Sequence, residues 1–322
     1  INIYMLNIIN IFKKNTYTNS KKFFSSMNKN SYFYNKSAIS TPWTESPFFY
    51  KLLENSNHTK EEKKLCTQFH EKGYVILDLN LTDTECLKIT DDVENIIEEE
   101  KATLQSEHFQ YNESPRVFEG WKDSENIKNL ILNKKIMNTL ELLYDKPPVP
   151  FSSINFTKGS DQPLHSDAIH FHTVPYKWMT GVWVAFEDTN KYNGTLRVVP
   201  GSHKWEIYDY DSLKLSHPDL IENGEEINYR IYEDFIRSLV KAKEAEELVV
   251  ELKKGQALIW AANMLHGGIP IYNKGSTRKT QAIHYFYDDC DEYFHPMFSN
   301  PLKGIYAKKW CDNKNNILTW KK

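Results

Sequence analysis

The first half of the chain carries hydrophobic residues at helical spacing. In Glu61–Gly73, Leu65 and Phe69 lie four residues apart on one face, and the final glycine favours a left-handed cap. This segment is predicted to be an amphipathic helix. The apolar run Tyr74–Leu77 that follows it is predicted to be a short strand.

Two more helices are predicted before residue 150. Thr82 and Glu85 match the pattern of a capping box, and the helix that they open is expected to run to about Gln105. A further helix is predicted within Ile127–Tyr144, where two following prolines end it. Residues 60–146 are therefore expected to form a helical N-terminal part.

After Pro150 the helical spacing gives way to short apolar runs separated by Gly, Pro and Asn. Many short strands with turns between them indicate a β-sandwich or barrel over residues 150–290. The predicted strands are Phe151–Phe156, Trp178–Phe186, Thr195–Val199, Leu248–Leu252, Ala257–Trp260 and Lys279–Tyr287. Trp205–Glu247 interrupts them, and its length and charge are typical of a lid with one helical stretch, Tyr232–Ala245. The expected fold class is α+β with a mainly β core.

Residues 1–44 differ from the rest of the chain. They carry six lysines but no acidic residue and no arginine. We expect a disordered or leader-like extension, outside a single domain that spans residues 45–322. An organelle transit peptide is the weaker alternative, because transit peptides are rich in arginine. The expected location is the cytoplasm, or an organelle matrix if the extension is a transit peptide.

Composition narrows the classes of function. The formal net charge is −3, so the chain has no general basic field to bind nucleic acid. No run of about 18 apolar residues occurs, so no helical membrane span is expected. The four cysteines are widely spaced without a CxxC pair, which argues against a zinc ribbon and against a disulfide scaffold. A small-molecule substrate is the expected partner, and the oligomeric state is left open.

The strongest chemical signal is the pair His165 and Asp167. In an extended segment, side chains two residues apart point to one face, so this imidazole and this carboxylate can bind one ion. His266 is the candidate third ligand, because it follows a predicted strand and precedes two glycines that permit close backbone approach. Two histidines and one carboxylate form the facial triad of non-heme Fe(II) oxygenases.

Arg278 adds a second part to such a site. If the oxygenase takes its electrons from 2-oxoglutarate, the distal carboxylate of that co-substrate requires a fixed cation. Arg278 lies twelve residues after His266 at the start of a predicted strand, and its guanidinium can pair with both carboxylate oxygens. Only five of the 40 basic residues are arginines, so an arginine here indicates a geometric requirement rather than charge alone.

Each of these residues has an ordinary structural alternative. His-x-Asp alone is typical of a surface pair, His266 of a turn histidine, and Arg278 of an exposed strand residue in a weak ion pair. The agreement of order, spacing and strand context favours the metal site.

From about Phe69 to Asp288 the chain resembles the phytanoyl-CoA dioxygenase family of Fe(II)- and 2-oxoglutarate-dependent oxygenases. The segments that carry the resemblance are Phe69–Ile76, His165-x-Asp167, Gly181-Val182-Trp183, Asn193–Lys204, His266-Gly267 and Arg278. The resemblance implies a double-stranded β-helix core (jelly roll, cupin-like) over residues 150–290, with N-terminal packing helices and a lid insertion at residues 205–247.

The resemblance also implies roles for individual residues. The residues expected to bind Fe(II) are His165, Asp167 and His266. Arg278 is expected to bind 2-oxoglutarate, with Trp183 close to that co-substrate. Asn155 can reach the same site from its strand, but a polar residue at a sheet edge is an equally good interpretation.

Other polar residues near these motifs receive weaker predictions. His170 and His172 are expected to donate hydrogen bonds or line the pocket, because a fourth protein ligand would take a position that oxygen or 2-oxoglutarate needs. His203 is expected to be structural. Arg197 is expected to pair with a carboxylate in the barrel or to help hold substrate, and Arg116 is expected to line the pocket mouth.

The expected function is a non-heme Fe(II)- and 2-oxoglutarate-dependent dioxygenase. It would use O2, with ascorbate as an optional reductant, to hydroxylate an unactivated carbon of a small metabolite or lipid-like substrate, releasing succinate and CO2. Hydroxylation is favoured because Asp167 is present where halogenating relatives lack a carboxylate. The alternative is a jelly-roll metal-binding module, or a zinc hydrolase that uses the same three ligands. Arg278 discriminates, because a zinc hydrolase has no use for a carboxylate clamp at that position.

Overall fold

The computed structural model describes residues 34–99, 115–215, 224–288, 290, 292–296, 310–314 and 317–320. The helices in these ranges are α1 Phe49–Glu54, α2 Lys60–Lys72, α3 Asp83–Glu98, α4 Glu125–Ile131, α5 Lys134–Tyr144 and α6 Gly224–Ala242. The strands are β1 Tyr74–Asp78, β2 Arg116–Phe118, β3 Pro148–Phe156, β4 His172–Val174, β5 Met179–Ala185, β6 Leu196–Val198, β7 Leu248–Val250, β8 Gln256–Ala261, β9 His266–Gly268, β10 Thr280–Tyr287, β11 Glu292–Phe294, β12 Trp310–Lys314 and β13 Ile317–Trp320.

Helices α2 and α3 begin at capping boxes. The hydroxyl of Thr82 accepts the N–H of Glu85 at 3.2 Å, and the Glu85 carboxylate accepts the N–H of Thr82 at 2.8 Å. Thr59 and Glu62 make the same pair of bonds at the start of α2. Gly73 ends α2 with a φ of 80°, a conformation that favours glycine. The predicted helix over residues 61–73, its glycine cap and the capping box at Thr82 are confirmed.

Two of the helix predictions need correction. Helix α3 ends at Glu98 rather than near Gln105, and residues 100–114 lie outside the described residues. The single helix predicted within Ile127–Tyr144 is in fact the two helices α4 and α5. The break occurs because the Asn133 side chain accepts the first backbone N–H groups of α5, so it starts a new helix instead of continuing the old one.

The globular part begins before the predicted boundary at residue 45. Trp43 and Thr44 are both buried. The Trp43 indole and the Thr44 hydroxyl donate to backbone carbonyls of α5, at 3.1 Å and 2.8 Å. The end of the predicted extension therefore packs on the helical layer, while residues 1–33 lie outside the described residues.

The β core consists of two facing sheets. A six-stranded antiparallel sheet has the order β1-β8-β5-β10-β3-β2, and a three-stranded sheet has the order β7-β6-β9. Two further pairs, β4 with β11 and β12 with β13, complete the described strands. All six predicted strands are present, and the predicted fold class, α+β with a mainly β jelly-roll core, is confirmed.

The large sheet has a helical face and an interior face, because successive side chains of a strand point to opposite sides. The residues that pack with the helices include Val182, Ile259 and Ile283. The residues that pack towards the small sheet include Trp183, Leu258 and Ala282, together with Leu196 and Val198. The space between the two sheets is where inward-facing residues of β5, β8 and β10 can meet residues of β9.

The predicted lid is a helical insertion between β6 and β7. Its helix α6 starts at Gly224, earlier than the predicted stretch Tyr232–Ala245, and residues 216–223 lie outside the described residues. Tyr229 and Tyr232 of α6 share a buried cluster with Leu164 and with other residues near the His-x-Asp motif. The insertion therefore covers the segment that carries the motif. None of the described helices combines the length and apolar character needed to cross a membrane.

Candidate active site

The three predicted metal ligands meet in the interior between the sheets. One ligand atom each of His165, Asp167 and His266 lies within 4.8 Å of the others, and all three residues are buried. Asp167 Oδ1 is 3.9 Å from His165 Nε2 and 3.7 Å from His266 Nε2. An ion with bonds of about 2.1 Å can bridge separations of up to about 4.2 Å. Both separations from the Asp167 carboxylate fall within this reach, and the donor set suits one metal ion.

A backbone bridge brings the two histidines together although they are distant in sequence. His165 N–H donates to His266 O at 2.9 Å, and His266 N–H donates to His165 O at 3.0 Å. The glycine after His266 is required, because a Cβ on Gly267 would lie 2.8 Å from the carbonyl oxygen of Pro163. The sequence predicts a close approach of the backbone at these two glycines, and the structure contains it.

Both histidines direct Nε2 to the site. His165 Nδ1 lies 2.9 Å from Pro163 O, and His266 Nδ1 lies 2.9 Å from Met264 O. A carbonyl can only accept, so each Nδ1 carries a proton, and Nε2 is the atom of each ring that would bind a metal. Burial, and then the neighbouring His266, lower the pKa of His165 to about 3, so this ring is neutral at neutral pH.

Asp167 is held as a carboxylate with its two oxygens in different roles. Oδ1 faces the two ligand histidines, whereas Oδ2 accepts the indole N–H of Trp260 at 2.7 Å. His284 Nε2 lies 3.6 Å from the same Oδ2. Burial acts to raise the pKa of Asp167, but His266 and His284 outweigh it and lower the pKa below its ordinary value. The carboxylate is therefore ionised and available to a cation.

Arg278 is a buried cation without a carboxylate partner among the described residues. Only 1% of it is exposed, and its guanidinium donates to the carbonyl oxygens of Gly194 at 3.0 Å and Lys158 at 3.2 Å. Within the described part of the chain its Nε has no hydrogen-bond partner. Burial lowers the pKa of Arg278 to about 9. A buried charge is costly unless it is paired, so this guanidinium fits an anionic ligand.

Aromatic rings surround this guanidinium. Its centre lies 5.3 Å from the Trp183 ring and 5.2 Å from the Phe156 ring, both of which pack in the interior. The Arg116 guanidinium, on strand β2, lies 5.4 Å from the centre of the same Phe156 ring, and its charge adds to the lowering of the Arg278 pKa. The structure thus brings Trp183 to Arg278, as the family resemblance implies, and places Arg116 nearby.

Asn155 is not brought to this site. Along β3, Phe156 faces the interior, so the side chain of Asn155 points to the opposite, helical face. Its partners in the sheet are Gln281 and Val117, and its Oδ1 would lie 3.5 Å from a Cβ at Gly120. The sheet-edge alternative is also corrected, because β3 lies between β10 and β2.

The histidines that follow the motif contact protein groups instead of joining the triad. His170 Nε2 lies 3.0 Å from the Tyr229 hydroxyl, and His172 Nδ1 lies 3.2 Å from a backbone carbonyl. Gln162 Nε2 lies 3.4 Å from the same hydroxyl and 3.3 Å from His165 Nε2. The lid helix is therefore linked through Tyr229 to residues around the ligands.

The remaining candidates lie away from the triad. His203 is buried, and its Nε2 lies 3.0 Å from a backbone carbonyl of α2, which agrees with a structural role. Arg197 pairs with Glu247 at 2.9 Å in a partly exposed ion pair, so it meets a carboxylate at the surface rather than inside the barrel.

Five residues at the site are not among those predicted from sequence: Gln162, Tyr229, Tyr232, Trp260 and His284. Tyr232 accepts the N–H of Ser166, between the two motif ligands, at 3.1 Å. Trp260 lies two residues after Leu258 in β8, and His284 lies two residues after Ala282 in β10, so all four side chains point to the interior. This alternation is the sequence signal that could have identified Trp260 and His284.

A buried triad of two histidines and one carboxylate in a jelly roll, with a buried arginine in the same interior that has no carboxylate partner among the described residues, defines the class of non-heme iron- and 2-oxoglutarate-dependent dioxygenases. Residues 69–280 match the family described as phytanoyl-CoA dioxygenase (PhyH). The chain therefore belongs to the phytanoyl-CoA dioxygenase family.

Curated relatives agree with this membership. A "Probable phytanoyl-CoA dioxygenase" of Caenorhabditis elegans is 28% identical over 169 residues, which cover 52% of this chain and about half (48%) of that relative. "Phytanoyl-CoA dioxygenase, peroxisomal" of Mus musculus is 23% identical over 278 residues, covering 79% of this chain and 76% of that enzyme.

Solved structures share the fold at low sequence identity. The epimerase SnoN in complex with Fe3+, alpha ketoglutarate and nogalamycin RO superposes with a TM-score of 0.58 at 14% identity, covering 81% of this chain and 98% of SnoN. EctD from S. alaskensis with 2-oxoglutarate and 5-hydroxyectoine gives a TM-score of 0.55 at 16% identity, covering 76% of this chain and 83% of EctD. At these identities the likeness concerns the fold alone.

Proposed function

We propose that this protein hydroxylates an unactivated carbon of a small metabolite or lipid-like substrate at the site of the triad. His165, Asp167 and His266 would hold Fe(II), and Arg278 would hold the distal carboxylate of 2-oxoglutarate beside Trp183. The observation that carries the proposal is the buried guanidinium, which lacks a carboxylate partner in the described residues and shares one interior with a complete ligand triad.

When bound, iron, O2 and 2-oxoglutarate supply an oxidant strong enough to remove hydrogen from carbon, with release of succinate and CO2. The protein supplies two imidazole Nε2 atoms, an ionised carboxylate and a buried interior. Only 5%, 3% and 5% of His165, Asp167 and His266 are exposed. Enclosure of this kind keeps water away from reactive species, and it requires the covering segment to open for substrate.

The surroundings of the triad support a substrate with apolar carbon near the reacting position. The Phe171 ring lies 4.8 Å from the His284 ring and 5.1 Å from the Phe151 ring, so an aromatic wall adjoins Asp167 through His284. The His170 imidazole and the Tyr229 hydroxyl add polar groups on the lid side. We propose the cytoplasm as the location, with an organelle matrix as the alternative that the peroxisomal relatives suggest.

A zinc hydrolase or a non-catalytic metal module is the second candidate, because the same three side chains suit Zn(II). Anaerobic absorption spectroscopy separates the two candidates. Fe(II) together with 2-oxoglutarate is expected to give a weak visible charge-transfer band that neither gives alone. Succinate release should then be screened against a panel of metabolites, with and without acyl-CoA esters and with ascorbate present. Absence of the band, together with absence of substrate-dependent succinate, would favour the second candidate.

A further inference from the structure

We infer that Trp260 is a positioning residue, whose indole N–H fixes Asp167 so that one carboxylate oxygen faces the metal and the other does not. This inference deepens the proposed function and rests on its assignment of Asp167 as a ligand. The 2.7 Å bond from Trp260 Nε1 to Asp167 Oδ2 is short for an N–H donor, as expected when the acceptor is charged.

The indole lies beside two of the three ligands. Its ring centre is 4.7 Å from the ring centre of His266, while its N–H reaches Asp167. Trp260 is 2% exposed and Asp167 is 3% exposed, so water does not compete for this bond. A donor buried with its acceptor fixes the rotation of the carboxylate about its own axis.

His284 is the rival for the same oxygen. Its Nε2 lies 3.6 Å from Asp167 Oδ2, beyond the usual length of an N–H hydrogen bond. The indole is closer, and it donates at every pH because it has no acceptor form. The geometry therefore assigns the main hold on Oδ2 to Trp260 rather than to His284.

Gly181 makes this position of the indole possible. In the sheet Gly181 lies directly opposite Trp260 on one side and His284 on the other. A Cβ at Gly181 would lie 2.1 Å from Cε2 of the indole, a separation that no real contact reaches. Any side chain at 181 would push the indole out of its place, so a variant at this position tests the inference by a separate route.

Loss of the donor has a defined consequence. Asp167 Oδ2 would remain buried without its hydrogen bond, and the carboxylate could turn and bring both oxygens to the metal. A coordination position that 2-oxoglutarate needs would then be taken by protein. Removing partners of this kind lowers metal affinity by about 10- to 100-fold in other metal sites.

The test is a titration of the purified full chain with Co(II), monitored by its d–d absorption. Trp260→Phe keeps an aromatic ring but removes the N–H, and we expect the dissociation constant for Co(II) to rise by about 10- to 100-fold, with a changed band intensity. The matched control is Trp43→Phe, which removes another buried indole N–H, bonded to Leu142 O in the helical layer. The control should bind Co(II) as the wild type does.

Gly181→Ala should weaken Co(II) binding in the same way. In the double variant Gly181→Ala with Trp260→Phe, the smaller ring leaves room for the new methyl group, so the two losses should not add. This non-additivity is a readout that simple damage to the fold would not produce.

Asp167→Ala separates failure of the inference from failure of the proposed function. If Asp167→Ala retains wild-type Co(II) affinity, the ligand assignment itself is wrong. If Asp167→Ala loses affinity but Trp260→Phe binds Co(II) normally with an unchanged spectrum, the positioning role is wrong. A loss in His284→Phe alone would assign the role to His284 instead.

Discussion

Replacing Arg278 by methionine tests the co-substrate site most directly. The guanidinium is fully buried, donates to the carbonyl oxygens of Gly194 and Lys158, and has no carboxylate partner among the described residues. Truncating one partner of a buried ion pair costs about 3–5 kcal/mol. At about 1.4 kcal/mol for each tenfold change, the dissociation constant for 2-oxoglutarate should rise roughly 100- to 4,000-fold.

The assay is an anaerobic titration of the Fe(II)-loaded protein with 2-oxoglutarate, following the visible band. Lys279→Met is the control, because it removes the adjacent cation, whose side chain pairs with Glu94 at the surface at 2.6 Å. It should leave 2-oxoglutarate affinity unchanged. A melting curve of each metal-loaded variant without 2-oxoglutarate detects damage to the fold. The reasoning would be refuted if Lys279→Met weakened binding as much as Arg278→Met, or if Arg278→Met weakened Co(II) binding as much as 2-oxoglutarate binding.

Three further predictions concern the ligands and the elements around them. Asp167→Ala should abolish iron-dependent succinate release while the melting temperature stays close to that of the wild type, and retained activity would contradict the ligand assignment. Tyr232→Phe leaves the buried N–H of Ser166 without its acceptor. We therefore expect the free energy of unfolding, measured by urea titration, to fall by about 1–3 kcal/mol. An unchanged urea midpoint would show that the lid does not stabilise the motif. Burial lowers the pKa of His203 to about 3. Between about pH 6.5 and 3, this imidazole is therefore protonated in the unfolded chain but not in the folded chain. The free energy of unfolding falls as the pH drops through that range, by at most about 1.4 kcal/mol for each pH unit. His203→Gln should show a shallower fall, and equal slopes would mean that this ring does not carry the effect.

The ligand set could be predicted from sequence because its signals are local. His-x-Asp needs only an extended segment, and the glycines after His266 mark a close approach of two backbones. The close approach at the glycines is present, but the segment is extended only up to Ser166, because Asp167 begins a short 3-10 helix, Asp167–Ile169. Arg278 stood out because arginine is rare in this chain.

Other features could not be predicted, since they depend on tertiary contacts. Strands such as β4, β9 and β11 have three residues each, too few for a period to be visible. The direction of Asn155 depends on the phase of β3 relative to the core, which a strand with polar residues on both faces does not reveal. The role of Trp260 requires knowledge that Gly181 lies opposite it across the sheet.

Some helix boundaries can likewise be predicted from local sequence, and others cannot. The capping box at Thr82 was visible because its partners are three residues apart. The break before α5 depends on a choice at Asn133 between continuing a helix and capping a new one. Hydrophobic spacing alone is the same in both cases, so the pattern predicted one helix where there are two.

The bond between the Tyr232 hydroxyl and the N–H of Ser166 connects the inserted segment to the backbone between His165 and Asp167, two of the candidate metal ligands. A change in the insertion therefore also affects the backbone that carries the candidate ligands. A substitution in α6 that displaced Tyr232 would also displace the backbone between His165 and Asp167. Divergence of this enzyme towards other substrates is thus constrained at Tyr232 and Tyr229 and freer at the outward positions Ile227 and Ile231, which are 62% and 44% exposed.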